Sequence, residues 1–194
     1  MLESILAKRN VSTKAKITIK SLISAGLIIL AVGLPQLVHL IAGASGGMTW
    51  LPMYLPVLIA GCLLGKWWGL GIGITSPIVS FLFTSFILGS PMPALIRLPF
   101  MVCELAVFGL VTGLFSKKIM ENHWIAFPAV LAGQLSGRAV FITLVAIFQS
   151  VSGLSVATVW GQIVDGLAGI VLQAVLVPII IIGLKLLLER KNEK

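Results

Sequence analysis

PALIRLPFMVCELAVFGLVTGLFSKK, residues 93–118, is long enough to cross a bilayer and ends in two lysines. It carries Arg97 and Glu104 inside an otherwise apolar run. A charge at such depth costs ~2.5–3.5 kcal/mol on insertion scales, so charged groups there face a protein interior or an aqueous cavity. Seven positions apart on a helix, the two lie on roughly one face, ~10 Å apart along the axis. The stretch therefore reads as one wall of a polar pocket in a membrane protein.

The whole chain supports a lipid solvent. Its 194 residues are 58% hydrophobic and 10% charged, with mean hydropathy +1.11. A soluble domain is about 45–50% apolar and about 25% charged. The net charge of +8 invites a nucleic-acid reading. The charges, however, sit at the ends of apolar runs, where they orient helices and meet anionic headgroups, so nucleic acid is excluded as a partner. Cys62 and Cys103 stand alone in apolar segments, without a CxxC or a nearby histidine, and read as small buried hydrophobes. His39 and His123 fall at expected membrane boundaries.

In chain order, residues 1–20 form a basic cytoplasmic segment with Lys8, Arg9, Lys14, Lys16 and Lys20 against Glu3. The apolar run from Ser21 to about Ile41 exceeds the ~7–15 residues of a signal-peptide core, so cleavage is not expected. Residues 21–65 carry no charge. That length of helix would run ~67 Å, about twice the hydrocarbon thickness, so the chain folds back at AGASGGMTWLP, residues 42–52. The expected helices are 18–41, 52–65, 70–88, 94–115, 124–149 and 159–188, with Pro77 bending the third. Residues 21–188 thus form an all-α integral membrane domain of six helices, and residues 189–194 a cytoplasmic tail. The glycines at 69, 71 and 73 follow no strand and precede no P-loop lysine, so they predict close helix packing.

Lysine and arginine placement orients the domain. The first tail, the turns around Lys66 and Lys117–Lys118, and the last stretch with Lys185, Arg190, Lys191 and Lys194 are basic. The three opposite loops, near 42–51, 89–93 and 150–158, have no basic residue. The positive-inside rule then puts both termini in the cytoplasm. Counted from the outer ends, Arg97 lies ~5 Å in, Asp165 ~10 Å, and Glu104 and Arg138 ~15 Å. Two positive and two negative charges nearly cancel. They read either as a salt-bridge network fixing helix packing or as a solute pocket open to the outside, with Arg138–Asp165 or Arg138–Glu104 as the pair. No Walker motif, HExxH or GxSxG is present, so the chain reads as a non-enzyme without a cofactor of its own.

Three stretches carry a resemblance: MTWLPMYLPVLIAGCLLGKWWGLGIGITSPIVSFLFT at 48–84, MPALIRLPFMVCELAVFGLVTGLFSKK at 92–118 and GQIVDGLAGIVLQAVLVPIII at 161–181. Together they resemble the substrate-binding S components of energy-coupling factor (ECF) transporters, six-helix membrane proteins that capture a vitamin or related micronutrient from outside. The resemblance implies a prokaryotic cell-membrane protein. It implies as partners an ECF transmembrane scaffold subunit and two cytoplasmic ATPase subunits, which use the ATP. It also implies an outer lid at 42–51, made mobile by Gly43, Gly46 and Gly47, with Trp50 covering the pocket. Ser21, Ala25 and Gly26 stand where the family offers a small-residue face to the scaffold, although the strict AxxxA form is absent. Candidate ligand contacts are Arg97, Glu104, Arg138 and Asp165, then Trp50, Gln134, Gln149 and Gln173. Two arginines near the outer mouth favour a carboxylate or phosphate, because guanidinium pairs bidentately with such groups. Pantothenate or a phosphodiester-bearing corrinoid such as cobalamin fits that chemistry, and pyridoxine-like or queuosine-type solutes stay open. The rival readings are a non-transport membrane scaffold whose buried charges hold helices together, or a self-powered small permease.

Overall fold

The computed structural model describes residues 1–2 and 11–190; Lys8, Arg9 and residues 191–194 of the expected tails lie outside the described residues. Every element among the described residues is helical. Helix α1 spans Thr13–Trp50, α2 Tyr54–Leu64, α3 Lys66–Ile87, α4 Leu98–Leu114, α5 Ser116–Glu121, α6 Ala126–Ser152, α7 Val156–Asp165 and α8 Leu167–Arg190, with a 3-10 turn at His123–Ile125 between α5 and α6. Five stretches are long and apolar enough to cross a membrane: Thr13–Gly43, Ser45–Leu64, Lys66–Ile87, His123–Ser150 and Leu167–Leu187. The remaining apolar segment, Leu98–Leu114, is shorter, at 17 residues. Outward-facing apolar side chains such as Leu40, 85% exposed, and Phe86, 84% exposed, suit lipid and not water. The chain is a helical membrane protein.

Helix α3 begins at Lys66, before the expected 70, and α4 at Leu98, after the expected 94; three further differences shape the bundle. First, α1 starts at Thr13, because the Ser12 hydroxyl accepts the Ala15 N–H at 3.3 Å and caps the turn; the basic segment is thus largely helical from there on. Second, residues 42–51 are not an open loop. Gly43 alone leaves helical geometry, at φ 67° and ψ −170°, and helix resumes from Ser45 to Trp50 before Leu51 stops it at φ 49°. Such a break frees backbone carbonyls, and in hydrocarbon these must find partners inside the protein. Gln173 of α8 supplies them: its Nε2 donates to the Trp50 carbonyl at 3.1 Å and the Leu51 carbonyl at 2.9 Å. Third, the expected helix 159–188 is two helices. The short α7, capped by the Ser155 hydroxyl on the Thr158 N–H, ends at Asp165, and α8 begins after Gly166. Gly166 and Gly169 lie against the backbone carbonyls of Met48, Thr49 and Trp50, so the α7–α8 bend and the α1–α2 break pack on each other.

The centre of the bundle is the α3–α4 crossing. Gly69 and Gly73 of α3 meet Gly109 and Leu105 of α4 backbone to backbone, and Gly113 meets the backbone of Lys66. A side chain at any of these four glycines would overlap main-chain atoms. Small residues spaced by four bring membrane helices into such contact. Gly71, the middle glycine of the same run, faces outward with nothing within 4 Å. Pro77 sits inside α3, which is continuous from Lys66 to Ile87. Around the crossing, Leu58, Leu105, Phe108, Val130, Val177 and Ile181 form the main buried cluster. Phe100, Phe141, Val145, Leu154 and Val159 form a second, under α7.

One end of the bundle gathers the basic residues. Lys20, Lys66 and Lys117 line one cavity there, and the Lys185 ammonium donates to the Met120 carbonyl at 2.7 Å. His39 and Arg97 line a cavity with residues 91–94 of the α3–α4 connection.

Candidate functional site

Tyr54 opens α2, Glu104 lies mid-way along α4 and Arg138 mid-way along α6. The bundle brings the three together. Glu104 is fully buried. One carboxylate oxygen forms an ion pair with Arg138 Nη1 at 2.8 Å, and the other accepts a hydrogen bond from the Tyr54 hydroxyl at 2.9 Å. The Arg138 guanidinium also lies over the Tyr54 ring, 5.0 Å from its centroid, and that ring meets Phe108 edge-on at 5.2 Å. Arg138 Nε and Nη2 make no hydrogen bond. Of the two pairings the sequence left open, Glu104 is the partner. Asp165 is exposed, at the end of α7.

Gly137 explains how Arg138 reaches that depth. A side chain there would strike the Phe108 ring, so a glycine lets α6 close on α4. One turn earlier on α6, Gln134 is buried and donates through Nε2 to the Ile170 carbonyl at 3.2 Å, leaving its Oε1 without a partner. Gln173 likewise keeps an unpartnered Oε1 while it holds the α1–α2 break. Both glutamines thus tie helices through backbone carbonyls.

A cavity of ≈330 Å³ opens beside Tyr54. Pro35 and His39 of α1 form one wall; Gly47, Met48 and Leu51 form another. Ser80, residues 91–94, Arg97 and Met101 complete it. Gly47 matters because any side chain there would run into the His39 imidazole, 2.7 Å from the added carbon. The far wall is pinned: the Met92 N–H donates to Thr84 Oγ1 at 2.7 Å, and Ser80 Oγ donates to the Met92 carbonyl at 3.0 Å. Thr84→Val would leave the part-buried Met92 N–H without its acceptor, a loss of about 1 kcal/mol, the low end of the range for a fully buried donor. A lowered melting temperature with faster amide exchange at Met92 is the expected result, and an unchanged exchange rate would show the pin to be dispensable.

The Arg97 guanidinium lines this cavity, half-buried, with no hydrogen bond or ion pair to any described side chain. Glu104 is already taken by Arg138. The cavity wall therefore carries one uncompensated cation on an otherwise mostly apolar lining. Trp50 does not reach it; it is 43% exposed and lines a separate crevice with Leu34, Val38 and Leu172. Gln149 is exposed near the end of α6. Ser21, Ala25 and Gly26 all lie exposed on α1, and a side chain on Gly26 would meet nothing within 4 Å. Sequence reading placed His39 only at a membrane boundary and passed over Tyr54, Ser80 and Met101 among the cavity residues. Tyr54 had a signal, as the single tyrosine of the chain placed inside an apolar run.

Compared with protein-family models, curated proteins and solved structures, the chain finds no match.

Proposed function

We propose that this chain is the solute-capturing S component of an ECF-type importer in the plasma membrane of a prokaryote. In this reading it has six spans and cytoplasmic termini, and it takes a small anionic micronutrient from outside. A separate membrane scaffold with two ATPases powers delivery, since the chain has no nucleotide-binding motif of its own. The observation that carries the reading is the cavity of ≈330 Å³ beside an unpaired Arg97, at the end of the bundle away from the clustered lysines. Small-molecule sites are mostly apolar concavities of about 300–1,000 Å³ with a few placed polar groups. This one is at the small end, which favours a solute of pantothenate size over a corrinoid. Arg97 supplies the anion contact, and His39 and Ser80 supply further hydrogen-bonding groups. Glu104–Arg138 acts beneath the site, holding Tyr54 in its wall. The exposed Ser21, Ala25 and Gly26 face of α1 is then the surface for the scaffold.

The test is binding to purified protein in detergent, followed by tryptophan fluorescence. The panel is pantothenate, cobalamin, pyridoxine, folate, niacin, riboflavin, thiamine, biotin and queuine. Saturable binding of one anionic member is expected, weakened about 10- to 150-fold in Arg97→Ala, matching the ~1.5–3 kcal/mol of a hydrogen bond to a charged group. Silence across the panel from folded protein would transfer the assignment to a membrane scaffold, the reading that the buried Glu104–Arg138 pair favours. Uptake in cells lacking any ATPase module would assign a permease instead.

A further inference from the structure

The lysine-rich end of the bundle holds a cavity of ≈460 Å³ that the proposed solute site does not use. Lys20 of α1, Lys66 at the start of α3 and Lys117 of α5 line it, and no acidic residue among the described residues does. Ser116, 7% exposed, also lines it. Lys66 and Lys117 are exposed, and the Lys66 ammonium stands 5.2 Å over the Trp67 ring. Trp67, 69% exposed, and Leu114, 56% exposed, rim the cavity on the lipid side. The two exposed lysines, Lys66 and Lys117, beside a hydroxyl and with no carboxylate among the described lining residues, make an anion site.

A second observation says which anion. Trp67 and Trp68 are shared with an apolar groove of ≈290 Å³ between α1 and α3, floored by Ser24, Ile28 and Gly71 and reaching Thr75. From Trp67 to Thr75 the groove follows α3 for ~12 Å towards the bundle centre. A cationic cup at the membrane surface that continues into an apolar channel along a helix has the two-part shape of a phospholipid. Basic pockets between membrane helices recognise anionic headgroups in this way. We propose that this cavity and groove form a binding site for one anionic glycerophospholipid, with its phosphate between Lys66, Lys117 and Ser116 and one acyl chain over Gly71.

This site is independent of the solute reading and is tested without a solute. Full-length protein in a neutral detergent is melted with added phosphatidylglycerol, phosphatidylcholine or glycerol phosphate. Phosphatidylglycerol at about ten times its dissociation constant should raise the melting temperature by about 3–6 °C, with little response to the other two. The double variant Lys66→Gln/Lys117→Gln alters only exposed residues and leaves Lys20 in place; it should lose that shift. Lys118→Gln, which removes one such charge next to the cavity but outside its lining, should keep it. Gly71→Leu should fold, since nothing lies within 4 Å of its added carbon, yet respond less because the groove is filled. Equal protection by glycerol phosphate would overturn the lipid and assign a soluble phosphate. An undiminished shift in the double variant, or an equal loss in Lys118→Gln, would show general surface charge and no site.

Discussion

Glu104→Ala is expected to cost about 3–5 kcal/mol, the usual consequence of removing one partner from a buried ion pair. Glu104 is fully buried, so its loss strands Arg138 without a counter-charge and deprives the Tyr54 hydroxyl of its acceptor. For a chain of this length that corresponds to a fall in melting temperature on the order of 6–20 °C. The informative partner experiment is Glu104→Leu/Arg138→Met. Replacing both charges by apolar groups of similar size is often neutral or stabilising, so the double variant should recover most of the loss. A single variant that melts like the parent would mean that Arg138 escapes to water, contrary to its position over the Tyr54 ring. A double variant that melts as low as the single would mean that the pair's geometry, and not its charge balance, holds α2, α4 and α6 together.

A larger effect still is expected at the helix crossing. Gly109→Leu places a side chain where α3 supplies only backbone at Gly69. Overpacking against movable side chains costs about 1–3 kcal/mol. Here the obstructing atoms are main chain, so α3 and α4 must part and expose every close contact along the Gly69–Gly73 and Gly109–Gly113 faces. Little folded, monodisperse protein should survive on size-exclusion chromatography. Gly71→Leu, on the same α3 turn but facing outward, should elute as the parent does. A normal profile for Gly109→Leu would refute the assigned crossing.

Much of this was legible in the one-dimensional pattern. The apolar runs and their lengths determined that the chain is helical and membrane-spanning, because only hydrocarbon accepts so little polar surface. The absence of a P-loop context determined that the glycines at 69 and 73 serve packing, and they do, whereas Gly71 beside them does not. The placement of lysines anticipated that Lys20, Lys66 and Lys117 come together at one end. What the pattern left open was every choice that depends on helix rotation and bending. Arg97 and Glu104 share a face by spacing, yet α4 begins only at Leu98, so Arg97 precedes the helix and turns to the cavity while Glu104 turns inward to Arg138. Asp165 read as a buried charge because α7 and α8 read as one helix; the bend at Gly166 puts it in the open. Residues 42–51 read as a loop because of their glycines, but only Gly43 uses a conformation that needs one. Composition and charge order are properties of the chain, and the solvent acts on them directly. Which of two arginines meets Glu104 is a property of three helices meeting, and only packing could decide that its carboxylate would pair with Arg138 and leave Arg97 in the cavity wall without a partner among the described side chains.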